Sequence, residues 1–493
     1  MPVDPQTLDP HLGTDATVAW DYVNIYDTLV ALDPSVKLQP SLATSWKQMD
    51  PTTWRFTLRS GVKFTDGTPF NADAVVFNIL RALDPKDPGR VVSSGGPIAG
   101  AKKVDDLTVD VTTKGPDPST LYGLSLKVVY AICSPTAVQK YGKDYGQHPV
   151  GTGPFMLKSW QSNAQVVLAK NPDYWGSAPT LDSLVFKVIP DAGDRQLAFQ
   201  NKEIDVLLEP TPSQMLTLTK LPGVQIAKAP GIGLSYLAYN LRYPPFDDVN
   251  VRLALQHAID RKTICSTVLG NLAVPATGFM NSNVFGYKNE DLETVYDYDP
   301  AKAKALLQQA GWAPGSGGVL TKNGKDFTFP LVVSPGRVPG DKDATVACQQ
   351  QLAQVGVNAQ IVQMEWAPFL TFLKTQPSKY GMFFLTWFAV DADGDFGLTP
   401  FDSTQMPPVG INRMYYSDAT FQKAFEAGNV EMDPTKRVAD YTAAQDALVK
   451  NPPWIPLFQL YQISVLQSYV QGYQITPIEY YVTEVPGVTL AAH

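Results

Sequence analysis

Hydrophobic and polar positions alternate with period two over Trp54–Arg59, where Trp54, Phe56 and Leu58 interleave with Arg55, Thr57 and Arg59. That pattern predicts a half-buried strand. Further upstream, Val18, Tyr22, Ile25, Tyr26 and Leu29 recur at helical spacing and predict a helix over 16–31. Asn71 is placed to cap a helix running through Ala74, Phe77, Ile79 and Leu80 until Pro85 stops it. LTVDV at 107–111 and QVVLAK at 165–170 read as strands. From 184 the chain alternates: strand LVFKVI, a helix over 191–204, strand DVLLE, a helix over 212–220, strand VQIAK. This order predicts parallel pairing with right-handed crossovers. A strand at 234–241 precedes helices in VRLALQHAI, KTICSTVLG and DPAKAKALLQQAGW, the last ended by Gly311.

Residues 328–388 carry the clearest alternation: strand FPLVVS, helix DKDATVACQQQLAQV stopped by Gly356, strand VNAQIVQM, helix PFLTFLKTQ, strand MFFLTWF. Helices at 419–428 and 434–450 follow, and apolar WIPLFQLYQISVL closes toward the C-terminus. The fold class is α/β. The strand FFLTWF runs into Asp391, Asp393 and Asp395. In an α/β domain, ligands are met in the loops at the carboxyl ends of strands. The acidic loop is therefore either a site for a cationic, partly apolar molecule or a solvated turn after a core strand.

Composition narrows the classes. The chain has 493 residues, enough for about three domains at roughly 150 residues each. A net charge of −8 lacks the basic footprint of nucleic-acid binding. No apolar stretch reaches the length of a membrane span. Cys133, Cys265 and Cys348 are far apart, form no CxxC motif, and are expected as buried thiols with at most one pair. The histidines, His11, His148, His257 and His493, form no metal-binding cluster, and His257 on an apolar helix reads as structural. No GxSxG elbow or Walker sequence is present, and Gly151-Thr152-Gly153-Pro154 lacks the third glycine of a dinucleotide loop. Asp391 to Asp402 mimics the spacing of a calcium loop, but Phe396 stands where the sharp turn needs glycine and Asp402 replaces the glutamate. No cofactor and no metal site is expected.

Four segments carry a resemblance. They are ATSW at 43–46 through WRFTLRSGVKFTDGTPFNAD at 54–73; PVGTGPF at 149–155 with NPDYW at 171–175; Asn240, PFDDVNVR at 245–252 and AIDR at 258–261; and YDPA at 298–301 to AGW at 310–312. In this order, over nearly the whole chain, they resemble the peptide/nickel/opine family of solute-binding proteins of bacterial ABC importers. Trp387 with DFGL at 395–398, Pro407-Pro408, and Asn412 with YYS at 415–417 look most like the dipeptide- and glutathione-binding branch. The resemblance implies a periplasmic-binding-protein-like fold of two lobes joined by a hinge, plus an extra domain. Domain I would combine 1–33, 153–232 and 460–493, domain II would span 34–152, and domain III 233–459. The crossings near 232 and 460 would be the hinge. It also implies a monomeric, extracytoplasmic receptor with its leader removed, delivering a peptide-like, glutathione-like or opine-like solute to a permease and ATPase complex. No lipid-bearing cysteine stands near Met1, which fits a periplasmic protein.

Closing two lobes over a solute removes it from water, so each ligand charge needs a partner. For an amine the candidates are Asp391, then Asp393. The resemblance places the amine-binding aspartate three residues after the tryptophan, where this chain has Val390. For a carboxylate the candidate is Arg337 in SPGRVPGD, whose planar fork can bind both oxygens. Trp387 either stacks on the solute or fills the core. Thr14, Tyr22 and Tyr26 are candidates on domain I, Thr14 because it matches a ligand-contacting threonine of the dipeptide branch. Tyr236 and Asn240 are candidates near the hinge. The rival readings are a hydrolase using paired carboxylates such as Asp391 and Asp395, and a receptor for a metal chelate or a sugar.

Overall fold

The computed structural model describes Met1 and residues 3–12, 22–84, 96–477 and 487–491. Thr14 and the first half of the helix expected over 16–31 lie outside these residues. The second half is not that helix: Tyr22–Asn24 forms a single 3-10 turn and Val30–Leu32 a short strand. The apolar spacing is real, since Val23, Ile25, Tyr26 and Leu29 are all buried. They are buried because neighbouring segments enclose this stretch on all sides, a tertiary effect that mimics helical periodicity.

Strands β1 (Ala43–Asp50), β2 (Thr53–Leu58), β3 (Ile98–Asp105) and β4 (Thr108–Thr113) form an antiparallel sheet in the order β1-β2-β4-β3. Helix α1 (Ala72–Ala82) packs on it, with Asn71 accepting a hydrogen bond from the Ala74 amide at 3.1 Å. A second antiparallel sheet contains β5 (Phe155–Gln161), β6 (Gln165–Lys170) and β7 (Ser183–Lys187).

The principal sheet has seven strands. They are β8 (Val206–Leu208), β9 (Val224–Tyr239), β10 (Ala273–Pro275), β11 (Thr328–Val333), β12 (Asn358–Gln363), β13 (Met382–Phe388) and β14 (Trp454–Gln467). Their order is β8-β14-β9-β13-β11-β12, with β10 also paired to β14. The parallel pairs expected over 184–228 do not form. The C-terminal strand β14 inserts between β8 and β9 and pairs antiparallel with both. Parallel pairing is confined to β11 with β12 and β13, the region where sequence alternation was clearest. Two strands expected separately, at 224–228 and 234–241, are the single long strand β9.

The register of β9 against β13 sorts the core. Leu234, Tyr236, Ala238, Phe383, Leu385 and Trp387 share one face. Leu237, Tyr239, Met382 and Phe384 share the other and join a separate apolar cluster. Between Pro230 and Leu234 the pairing of β9 with β14 breaks. Side chains satisfy the carbonyls exposed there. Asn283 Nδ2 donates to Pro230 O at 3.0 Å, and Gln459 Nε2 to Gly231 O at 2.6 Å.

The segment PVGTGPF acts as a structural clasp. The Gly153 amide donates to Ile25 O at 2.9 Å, and a Cβ on Gly153 would lie 2.5 Å from the Ile25 carbonyl carbon. Between the glycines, Thr152 Oγ1 donates to Asp27 Oδ2 at 2.8 Å, an oxygen that also accepts from Trp175 Nε1 of NPDYW at 2.9 Å. Two motif segments therefore meet on one carboxylate. Substituting Gly153→Ala forces two backbones apart. It is expected to cost about 1–3 kcal/mol in urea unfolding, as overpacking typically does; an unchanged midpoint would refute the clasp.

Candidate functional site

Three loops leave the carboxyl edge of the parallel strands: 334–340 after β11, 364–365 after β12, and 389–393 after β13. They are brought together as the open-sheet rule requires. Arg337 extends from the first, exposed, with its guanidinium 4.5 Å above the ring of Trp366 from the second. That cation–π contact presents the guanidinium without consuming its hydrogens. The loop itself is fixed by Asp341, which starts helix α2 (Asp341–Gln354). Its carboxylate accepts from the amides of Gly336, Arg337 and Val338 at 3.0, 2.8 and 3.2 Å.

Arg337 borders a cavity of about 220 Å³ where β9 and β14 cross. Gly231, Gly233 and Gln462 line it from those strands, Phe388 from the end of β13, and Glu209 from the end of β8. Glu209 escaped the sequence reading, although DVLLE placed an acid at a strand's end just before Pro210. It holds a left-handed backbone, φ 49°. That conformation is costly for a residue with a long side chain and clusters at ligand sites. Its carboxylate accepts no hydrogen bond among the described residues. Burial raises its pKa to about 7, opposed by Arg195 and the chain's amino terminus. The cavity thus has both an acid, Glu209, and an arginine, Arg337, in its lining.

The acidic loop begins at the edge of this cavity, three residues beyond Phe388, and is organised mainly by itself. Asp393 is fully buried and caps α3 (Gly394–Leu398), accepting from the Asp395 amide at 3.1 Å. It also binds Arg437 in a fork, with both N–O distances 2.6 Å. Arg437 lies on α4 (Pro434–Lys450) and donates further to Gly428 O and Tyr441 OH. The Asp393 carboxylate is therefore committed within the protein. Asp391 is half-buried and accepts from the Asp393 amide at 3.1 Å. Burial, then Asp395 and Asp393, push its pKa well above the usual carboxylate range. Asp395 is raised to about 7 by burial, Asp393 and Asp117. Burial and mutual repulsion thus oppose ionisation of Asp391 and Asp395.

Other candidates have internal partners. Trp387 is half-buried, stacked on Phe396 with centroids 4.9 Å apart, and its indole N–H donates to Phe396 O at 3.0 Å. Asn240 is fully buried; its amide donates to Pro377 O and Tyr380 O and accepts from the Arg242 amide. Tyr26 donates to Leu8 O at 3.0 Å and meets Tyr145 OH at 3.1 Å. Tyr22 opens the 3-10 turn of residues 22–24. Tyr236, 2% exposed, lies against Trp454, with centroids 3.7 Å apart and ring planes tilted by 31°. All three cysteines are buried free thiols. Asp9, His11 and Cys133 come close enough to suggest a metal site. Yet His11 Nε2 donates to Ala131 O, and Arg81 bonds both His11 Nδ1 and Asp9, so a guanidinium already fills that position.

Known proteins share this fold. Residues 37–407 match the bacterial extracellular solute-binding proteins, family 5. The glutathione-binding protein GsiB of Salmonella typhimurium is 32% identical over 477 residues, covering 96% of this chain and 90% of that protein. HbpA2 from Haemophilus parasuis superposes with a TM-score of 0.85 at 28% identity, covering 99% of this chain and 98% of that one. DppA from Helicobacter pylori, solved with the peptide STSA, gives 0.76 at 28% identity, covering 99% and 96%. No described helix is long and apolar enough to cross a membrane. With its motifs, its sheet order and these relatives in agreement, the chain belongs to family 5 of the bacterial extracellular solute-binding proteins, the receptors of ABC importers.

Proposed function

We propose that this protein is a periplasmic receptor for a zwitterionic, peptide-like solute of dipeptide to glutathione size, and that it releases the solute unchanged to its permease. The observation that carries the reading is the cavity at the strand crossing, with both Glu209 and Arg337 in its lining. An amine meets Glu209 and a carboxylate meets Arg337. The glutathione-binding and peptide-bound relatives support this solute class. The domain division is likewise proposed: 1–33, 153–232 and 460–493 form one lobe, 233–459 the other, and 34–152 an extra domain. Under this division Glu209 and Arg337 belong to different lobes. A solute bridging them stabilises the closed arrangement by its own charges, a hinge closure around ligand. Asp391 lies outside the cavity lining, burial and its acidic neighbours oppose its ionisation, and it is proposed to make no contact with the amine.

Titration calorimetry against glutathione and a dipeptide panel tests the assignment. Glu209→Gln and Arg337→Ala are each expected to weaken binding about 30-fold, near the low end of losses for a charge partner. Asp391→Asn is expected to change affinity by no more than about three-fold, because it replaces a carboxyl whose ionisation burial already opposes. A larger loss for D391N than for E209Q would move the amine to the acidic loop. Failure of every amino-acid-derived compound to bind would sink the solute class.

The pH dependence has a definite sign. The native Glu209 carboxyl titrates near 7, above its ordinary 4.5. Its contribution to stability is therefore most favourable at low pH and declines as pH rises through 4.5 to 7. An amine prefers the ionised form, so its binding releases a proton near neutrality. Affinity is expected to fall up to about ten-fold between pH 8 and pH 6. E209Q should be flatter over that range, and equal slopes for both proteins would exclude Glu209.

Asp393 has a different signature. Asp393→Asn strands Arg437 and is expected to cost about 3–5 kcal/mol of stability, as breaking a buried pair does. Urea unfolding measures this, and a loss confined to affinity, with stability intact, would return Asp393 to the ligand site.

A further inference from the structure

A second cavity, of about 190 Å³, shares no lining residue with the solute cavity. Strand β8 contributes to both, since Val206 and Leu208 line the second and Glu209, the next residue, lines the first. Leu184 and Phe186 face the second cavity from β7, while Val185 between them is 51% exposed, as strand alternation requires. Tyr473 closes it from the C-terminal segment, its hydroxyl bonded to Ser464 Oγ at 2.9 Å. These five side chains converge on one space, yet all are only half-buried. Apolar surface left in contact with water in this way favours an apolar occupant.

Three charged side chains border the same space, and two are engaged. Asp205 accepts from Tyr469 OH at 2.8 Å, and Lys187 Nζ donates to Glu203 O at 2.9 Å. Arg195, on the helix Ala192–Gln200, is different. It is anchored through Nη1 alone, which donates to Ile189 O at 2.8 Å and Pro190 O at 2.7 Å. Its Nε is unpartnered, its Nη2 makes no hydrogen bond, and no carboxylate lies within ion-pair distance among the described residues. Burial lowers its pKa, and Glu209 and Asp191 act in the opposite sense from longer range. The Nε–Nη2 edge is the fork that takes a carboxylate side-on, as Arg55 takes Asp110 in this protein at 2.7 and 2.8 Å.

Size and charge together select the occupant. An apolar cavity of about 150 Å³ already accommodates benzene. This one therefore has room for a phenyl ring or a short alkyl chain beside its single uncommitted fork. A zwitterion fits poorly, because its amine would meet apolar walls and an aspartate already bonded to Tyr469.

We propose that this cavity is a second ligand site, for a small apolar carboxylic acid whose carboxylate meets Arg195 and whose body lies against Leu184, Phe186, Val206 and Leu208. It does not depend on the receptor reading above. Titration calorimetry with hydrocinnamate and with hydrocinnamyl alcohol separates the charge from the apolar fit. Wild-type protein should bind the acid about ten-fold more tightly than the alcohol, the worth of a hydrogen bond to a charged group. Arg195→Met should remove that preference by weakening the acid and leaving the alcohol unchanged. Failure of the wild type to bind the acid, equal acid affinity in wild type and R195M, or parallel loss of acid and alcohol would each overturn the proposal.

Placement in the cavity is tested by filling it. Leu184→Trp should abolish binding of the acid, and Val206→Phe serves the same purpose if L184W does not fold. Undiminished binding in a folded filling variant would overturn the site. Saturating glutathione should leave hydrocinnamate bound, because the two cavities have separate linings; mutually exclusive binding would return the acid to the solute cavity. A protein that binds hydrocinnamate through Arg195 and binds no peptide-like compound would keep this site and lose the receptor reading.

Discussion

The antiparallel pair β9 and β14 is the constraint on which the rest of the structure depends. These two strands join β8 at one end of the principal sheet to the parallel strands at the other, so both ends share one backbone ladder. A ladder of that length is stiff where it is paired. It loses pairing between Pro230 and Leu234, and there the carbonyls are held by the side chains of Asn283 and Gln459. Side-chain hydrogen bonds can rotate and re-form where a strand ladder cannot. The break also leaves Gly231 and Gly233 at the wall of the cavity. The same local interruption thus opens the ladder and leaves room for the cavity.

Electrostatics around this crossing follow from how burial treats each carboxylate. Asp393 has a forked arginine and a helix cap, so its charge is compensated where water is absent. Glu209, Asp391 and Asp395 lack an equal compensation, and burial is the leading cause that raises each. An acid poised near neutrality inside a cleft gains more from an incoming cation than an acid already ionised in water, because the cation offsets the desolvation already incurred. The same asymmetry separates Arg337, whose hydrogens are presented on the Trp366 ring, from Arg437, whose hydrogens are used.

Much of this was legible in the sequence, and the failures have physical causes. The α/β unit over 328–388 was read nearly residue for residue, because amphipathic helices and short apolar strands alternate there and Gly356 ends its helix at φ 84°. Pairing over 184–228 was misread because the strand that intervenes lies more than two hundred residues away, beyond any local pattern. The second half of the helix expected over 16–31, from Tyr22 on, does not form, because burial on all sides imitates a helical face. At the site, strand-end position located Arg337 and the acidic loop. It did not distinguish Asp393 from Asp391, since their difference is the distant Arg437. Tyr26 and Asn240 were plausible by type, yet their polar atoms are spent on Leu8, Pro377 and Tyr380 carbonyls that only the folded chain brings near.

Glu209 shows what sequence pattern leaves out in general. It belongs to no motif, and it is conspicuous only through its left-handed backbone and the hydrogen bonds its carboxylate lacks among the described residues. A buried charge is tolerated when its hydrogen-bonding capacity is filled. Counting filled capacity therefore separates residues that hold the fold from residues that await something. By that count Arg252, Arg261 and Arg437 hold the fold, each bound to fixed acceptors. Glu209 and Arg337 retain unspent capacity on opposite signs of charge, and both line the cavity beside the strand break. The zwitterionic solute proposed for this protein supplies the complement of each sign, so the ligand chemistry is the one these two side chains leave open.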